Sequence, residues 1–249
     1  MGYYHQILLP GVPVYSARGA IGWSSVVLVQ GEGQNLIFDT GSHSDRRQLI
    51  SALKCLDLSP ADIQSVYLSH FHYDHVLNAD IFPNARLLLS IKEWKYVQSG
   101  AFREAGDPYV PTSLIAWAAN RVELFEEGQE VLPGLVPLSL PGHTPGLCGL
   151  LLRQEKVLLA GDGVKNSWEL ARRQPPPSFF SPHAALESYE RALAAAEVIV
   201  PGHDRPFRVG RGGSIDYLTE ASVEISFCPD PCSPPRAIPL FSKDSELVR

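Results

Sequence analysis

Cysteine is scarce in this chain of 249 residues. Cys55, Cys148, Cys228 and Cys232 are spread too thinly to staple a fold of this size, which excludes a disulfide framework and leaves reduced side chains as the expectation. Cys228 and Cys232 are spaced closely enough to clip a metal or close a disulfide, but no second pair completes a four-thiolate site. Charge is sparse as well. Asp, Glu, Lys and Arg make up 19% of the residues, and the net charge of -6 offers no bulk attraction for nucleic acid, so no nucleic-acid partner is expected. No apolar run approaches the ~18–20 residues that cross a bilayer. The opening Met1-Gly2-Tyr3-Tyr4-His5-Gln6 lacks a cationic stretch leading into an apolar one, so neither a membrane partner nor a secretory leader is expected, and the expected location is cytoplasmic.

What the chain does have is apolar material, 45% of its residues, enough to bury a full core. One domain over residues 1–210 is expected, with 211–249 as a C-terminal extension packed on it or trailing from it. Short apolar, β-branched runs repeatedly end in a turn that carries an acid or a histidine. Asn35-Leu36-Ile37-Phe38 leads to Asp39, and Ser65-Val66-Tyr67-Leu68 leads to His70. Val136 to Leu140 leads to His143, Lys156 to Ala160 leads to Asp162, and Val198-Ile199-Val200 leads to His203. Such runs, bounded by Gly and Pro, read as buried strands. Leu49, Ile50, Leu53 and Leu56 share one face of a helix within Asp45 to Leu56. Ser181-Pro182 reads as a cap followed by proline in the first turn, opening a helix to about Ala196. Alternating strands and helices predict a layered α/β protein whose turns converge at one edge of the sheets.

The segment His70-Phe71-His72-Tyr73-Asp74-His75 carries most of the chemistry. Alternate residues of an extended stretch project to one side, so His70 and His72 can reach a common point. After a turn, Asp74 and His75 can address a neighbouring one. Imidazole nitrogen and carboxylate oxygen suit a borderline ion such as zinc, although manganese or iron accept similar ligands.

With the motifs Phe38-Asp39-Thr40-Gly41, His70 to His75, Pro141-Gly142-His143-Thr144-Pro145-Gly146, Ala160-Gly161-Asp162 and Pro201-Gly202-His203-Asp204 in this order, the chain resembles the metallo-β-lactamase superfamily from about Trp23 to Phe207. The resemblance implies a four-layer αββα sandwich with two zinc ions at one end. It implies that His70, His72 and His143 hold the first ion, that Asp74, His75 and His203 hold the second, and that Asp162 bridges them. Asp39 would support the site through a bond to a ligating imidazole. His72 stands where di-iron flavoproteins of this superfamily carry glutamate, which favours zinc. Asp162 stands where class B1 β-lactamases place a cysteine, which disfavours antibiotic hydrolysis as the natural function.

Two ions bridged by Asp162 and a water would lower that water's pKa to roughly 7, giving a hydroxide nucleophile. The expected reaction is cleavage of an ester, lactone or thioester bond of a small molecule; the alternative is phosphodiester or nuclease-type hydrolysis with the same site. Asp74 is a candidate proton shuttle. Lys165 stands where related homoserine-lactone hydrolases carry tyrosine, and it could polarise a carbonyl or hold a substrate carboxylate. The segment after His203 is too short and too rich in Pro and Gly for the glutathione-binding domain of glyoxalase II relatives.

Two segments are candidates for the walls of the pocket. Lys92 to Glu127 carries Trp94, Tyr96, Phe102, Tyr109 and Trp117, interrupted at Gly106-Asp107-Pro108; these aromatics either line a cleft or pack outer helices. Gly163 to Ser181 carries Trp168, Phe179 and Phe180 with the cations Lys165, Arg172 and Arg173, which either attract an anionic substrate group or face solvent. His43 is a candidate for supporting a ligand, and Asp204 for orienting one or bonding its own loop. His5 and His183 are expected to be incidental, Cys148 a core residue, and oligomeric state is not readable.

Overall fold

The computed structural model describes residues 2–16, 19–175, 177–210 and 214–220. The strands come in two groups along the chain. The first is β1 (Tyr4–Leu9), β2 (Tyr15–Ser16), β3 (Gly19–Ala20), β4 (Val26–Gly31), β5 (Gln34–Phe38), β6 (Ser65–Tyr67), β7 (Arg86–Ser90) and β8 (Val122–Phe125). The second is β9 (Leu135–Ser139), β10 (Cys148–Leu152), β11 (Val157–Gly161), β12 (Val198–Pro201), β13 (Phe207–Val209) and β14 (Ile215–Tyr217). They build one sheet ordered β1-β4-β5-β6-β7-β8, a second ordered β14-β13-β12-β11-β10-β9, and a small β2-β3 ribbon. Both sheets are mixed: β5 to β8 run parallel, as do β11 and β12, while the other neighbours are antiparallel.

Strand periodicity explains the layers. Along β4, Val27 and Val29 join the core between the sheets, while Val26 and Leu28 face outward under helices. Along β11, Val157 and Leu159 face inward, and Leu158 and Ala160 face the opposite helical layer. Because both faces are covered, β11 and the Val26–Val29 part of β4 are continuous apolar runs rather than alternating ones. On the outside of the first sheet lie α1 (Arg46–Lys54), α3 (Ile91–Ser99), α4 (Ala101–Glu104) and α5 (Thr112–Ala118). The second sheet is covered by α6 (Ser167–Arg172) and α7 (Pro182–Ala195), and a one-turn helix, α2 (Tyr73–Val76), sits within the signature segment. This is the αββα sandwich. Tyr67 links its inner faces: it stacks between Phe38 and Phe125 and donates its hydroxyl to the Gly149 carbonyl at 3.0 Å.

The strand and helix expectations fall within a residue or two of the observed elements. Ser181 caps α7 by accepting from Ala184 N–H, with Pro182 following as the first helical residue. Strand β14 lies in the segment expected as an extension and pairs with β13 in the second sheet. Cys228 and Cys232 lie outside the described residues. Among the described residues, no helix is long and apolar enough to cross a membrane.

Leu159 is fully buried between the sheets, whereas Leu124 on edge strand β8 is 39% exposed. Leu159→Ala is therefore expected to lower unfolding free energy by about 2–5 kcal/mol, and Leu124→Ala by less than about 0.5 kcal/mol, as measured by urea denaturation.

Candidate metal centre

The inter-sheet strands deliver their polar turns to one edge. After β6 the chain bends at Ser69 and His70, is extended at His72, then winds into α2, which presents Asp74 and His75. Strand β11 releases Asp162 through Gly161, and β12 releases His203 through Gly202. His143 arrives on the loop between β9 and β10. All of these side chains are at least nine-tenths buried. Their ligand atoms fall into overlapping groups, His70/His72/His143, His70/His75/Asp162 and Asp74/His75/His203, each within 4.8 Å. Every sequence-predicted metal ligand is thus brought to one place. Asp162 sits between the groups, with Oδ1 3.4 Å from His75 Nε2 and 3.2 Å from His203 Nε2, and Oδ2 3.5 Å from His143 Nε2.

Hydrogen-bond accounting fixes which nitrogen of His70, His72, His75 and His143 is free to ligate. Ser69 Oγ donates to Asp39 Oδ2 at 2.8 Å, so it must accept from His70 Nδ1 at 2.9 Å. Carboxylates and carbonyls only accept, so His75 Nδ1 carries a proton toward Asp39 (2.7 Å), His72 Nε2 toward Asp107 (2.8 Å) and His143 Nδ1 toward the Pro177 carbonyl (2.9 Å). His70 Nε2, His72 Nδ1 and His143 Nε2 are then left as lone pairs converging on one point. His143 Nε2 and His72 Nδ1 stand 3.0 Å apart with their protons committed elsewhere, an arrangement that a cation between them satisfies. His70 Nε2, His75 Nε2, His203 Nε2 and Asp162 Oδ1 are buried without a hydrogen-bond partner. Orphaned buried polar atoms of this kind are costly unless something coordinates them, and the donor set fits divalent metal ions.

The electrostatics agree. Burial drives the pKa of His70 well below the usual histidine range and that of His143 down to about 3, holding both neutral as ligation requires. Burial opposes charge on His75 too, but Asp39, Asp74 and Asp162 outweigh it and raise its pKa. Burial likewise disfavours charge on Asp162, yet Lys165, His203 and His75 hold it well below the ordinary carboxylate range. The second group thus attracts positive charge.

Lys165 lies in the site, its Nζ 3.0 Å from Asp162 Oδ2. The expected trio of cations divides: Arg172 lies over the Trp168 ring at 4.6 Å, and Arg173 pairs with Glu190 on the surface. Of the aromatics in Lys92 to Glu127, Trp94, Tyr96 and Phe102 are core residues and Trp117 packs against that core. Tyr109 instead meets the His72 ring at 5.6 Å, and Phe179 meets His72 and His143 at 5.8 and 5.7 Å. His43 is exposed at the start of the one-turn segment His43–Asp45, His5 lies on β1 opposite Val29, and His183 is exposed on α7 facing Glu187. Asp204 accepts from Ser167 N, Ser167 Oγ and Tyr217 Oη, fastening α6 and β14 to its loop. Burial pushes the Cys148 thiol up to about 12, as suits a core residue.

Sequence reasoning missed Ser69, Asp107 and Glu93. Glu93 is fully buried on α3 and accepts from Phe71 N, Thr144 Oγ1 and Gly146 N, tying the His70 loop to the His143 loop. Asp107 was readable only as part of a turn; its Oδ1 accepts from Tyr109 N–H two residues on, the bond typical of an Asx turn.

A family model described as the metallo-beta-lactamase superfamily matches residues 22–203. The chain belongs to this superfamily. Superfamily relatives include metallo-beta-lactamase domain-containing protein 1 of Xenopus laevis, 32% identical over 201 residues that cover 77% of this chain and 75% of that protein. N-acyl homoserine lactonase AiiB of Rhizobium rhizogenes is 31% identical over 179 residues, covering 59% of this chain and 64% of that enzyme. Among solved superfamily structures, AidC, a dizinc quorum-quenching lactonase in complex with a product, superposes with a TM-score of 0.66 at 17% identity, covering 89% of this chain and 92% of that one. A structure from Thermotoga maritima described as a putative metallo-beta-lactamase gives 0.64 at 20% identity, covering 84% of this chain and all of the other. These superpositions establish the superfamily fold.

A Cβ on Gly202 would stand 2.2 Å from Asp162 Oδ1 and 2.9 Å from the Gly161 backbone, so only glycine admits this carboxylate. Gly202→Ala is expected to weaken metal uptake roughly 10- to 100-fold, as loss of ligand support does. Competition against a chromophoric chelator measures it, with circular dichroism confirming the fold.

Proposed function

We propose that this superfamily hydrolase cleaves a lactone or other carboxylic ester of a small molecule, thioesters included, at a centre of two zinc ions. The observation that carries the reading is the Asp162 carboxylate set between two groups of buried ligand atoms, with the Lys165 ammonium 3.0 Å from it. His70, His72 and His143 would hold one ion and Asp74, His75 and His203 the other, with Asp162 shared. When bound, such ions supply Lewis acidity, which eases ionisation of water and polarises a carbonyl.

The chain's own residues do the rest. Lys165 Nζ, three residues beyond Asp162, donates toward the substrate's carbonyl oxygen or a substrate carboxylate at the wall of the site. Asp74, whose Oδ2 lies 3.4 Å from His203 Nε2 and whose side chain is 10% exposed, faces the accessible side of the cluster. Besides ligating, it is placed to take the proton of the attacking water on a carboxylate oxygen and pass it to the leaving oxygen or sulfur. Tyr109 and Phe179 cover the His72 side and exclude water from it.

The partners of the nearby arginines favour a substrate with little charge over a polyanion. Arg172 is engaged with Trp168 and Arg173 with Glu190, so the positive charge at Asp162 comes from Lys165 rather than from a basic tract. The relatives named as N-acyl homoserine lactonases lend the same support.

Zinc-loaded protein is expected to hydrolyse γ-lactones and 4-nitrophenyl esters in preference to bis(4-nitrophenyl) phosphate; a faster rate on the phosphodiester would reverse the assignment. Activity should vanish on chelation and return with zinc. Lys165→Met should lower kcat/KM about 100-fold, the cost of removing one donor to a developing negative charge, while leaving zinc content unchanged.

A further inference from the structure

Gly106-Asp107-Pro108 interrupts the helices covering the first sheet, and its carboxylate is spent entirely inside the protein. The Asp107 side chain is fully buried. Its Oδ2 accepts from His72 Nε2 at 2.8 Å and from Tyr96 Oη at 2.9 Å, while Oδ1 accepts from Tyr109 N–H at 2.9 Å. Tyr96 is anchored in the core on α3. Tyr109 in turn accepts at its carbonyl from Tyr73 N–H, at the start of α2, at 2.9 Å, and its ring meets those of His72, Phe179 and Tyr73.

One carboxylate therefore sets two things at once: the rotation of the His72 ring about its Cβ–Cγ bond, which aims the free Nδ1, and the position of the aromatic face beside it. We infer that Asp107 is a positioning residue coupling the His70/His72/His143 group to the Tyr109–Phe179 wall. The ion held there and the apolar part of the substrate lying on the wall then depend on the same carboxylate. This rests on the proposed metal-dependent reading and goes beyond it by assigning a residue that touches neither ion nor substrate.

The geometry dictates the consequences. Without Asp107, the His72 Nε2 proton loses its acceptor, and the tautomer that leaves Nδ1 bare toward His143 is no longer favoured. The Tyr109 amide and the Tyr96 hydroxyl lose theirs too, so the loop that carries the wall is released from α3. Phe179 approaches the same imidazole through ring contact alone and hydrogen-bonds elsewhere, its N–H donating to the His143 carbonyl at 2.9 Å.

Cobalt(II) titration of metal-free protein, followed by its visible absorption bands, separates these roles. Asp107→Ala should weaken cobalt binding at the first site about 10- to 100-fold, shift its bands, and raise KM for 4-nitrophenyl butanoate. Phe179→Ala should raise KM with cobalt affinity and bands unchanged. Asp107→Asn, which keeps the volume and one acceptor, should lie between wild type and Asp107→Ala and serves if the alanine variant does not fold. Cobalt affinity and bands unaltered in both Asp107 variants would overturn the inference, as would an equal loss in Phe179→Ala. Wild-type protein that binds no cobalt would sink the metal reading itself, a result distinct from either.

Discussion

An imidazole has two nitrogens, and in His70, His72, His75 and His143 this protein uses one of the pair to aim the other. Ser69, Asp107, Asp39 and the Pro177 carbonyl each take the outward proton of a histidine, which turns the opposite lone pair inward. The rest of the site follows from this constraint. Lys165 reaches one oxygen of Asp162, but His70 Nε2, His75 Nε2, His203 Nε2 and Asp162 Oδ1 converge in a buried volume without a hydrogen-bond partner, and a low-dielectric interior makes such a cluster costly until cations enter. The outer bonds are what keep the cluster from relaxing, since a ring held at one nitrogen cannot rotate its other nitrogen toward a better partner.

Asp39 shows how tightly this is drawn. It adopts a positive φ of 53°, uncommon for a residue with a Cβ, directly after β5. In that conformation its carboxylate accepts from Ser69 N, Ser69 Oγ and His75 Nδ1 together. A single acid thus aims His75 directly and His70 through Ser69, serving both ligand groups. Local backbone strain is compensated by bonds that need that geometry. Burial raises the pKa of Asp39, with His75 and Ser69 opposing the rise, so its charge depends on the groups it orients.

The ligands were legible in the sequence because apolar runs that read as strands lead shortly into them, and because alternate residues such as His70 and His72 can reach a common point. His70 and His72 met these conditions, and so did the apolar runs ending at Asp162 and His203. The supporting residues were not legible for the opposite reason. Glu93 lies on α3 and Asp107 in the turn between α4 and α5, far in sequence from the loops they hold, and nothing in their immediate neighbours marks them as buried acids. The wall divided similarly: local composition could not tell Tyr109, which faces His72, from Trp94 and Phe102, which fill the core, because orientation is decided by packing across the layer. The cationic segment left the same choice open. Arg172 and Arg173 are neighbours of Lys165 in sequence, but α6 carries them away toward Trp168 and Glu190.

The architecture also explains why the chemistry sits where it does. Strands covered on both faces leave little room for polar side chains along their length, as the fully apolar β11 and β12 show. Polar groups can gather only where the backbone leaves the sheets, and there each ligand is held by a strand end whose position the core between the sheets has already fixed. Two glycines complete the arrangement: Gly161 lets the end of β11 approach the loop after β6, where a Cβ would meet Ser69 Oγ at 2.6 Å, and Gly202 lets the chain after β12 pass close beneath Asp162, which a Cβ there would meet. The carboxylate placed between the two ligand groups is therefore set by sheet packing as much as by its own side chain. A methyl group added under that carboxylate would collide with Asp162 Oδ1, so the centre depends on a backbone position that carries no ligand at all.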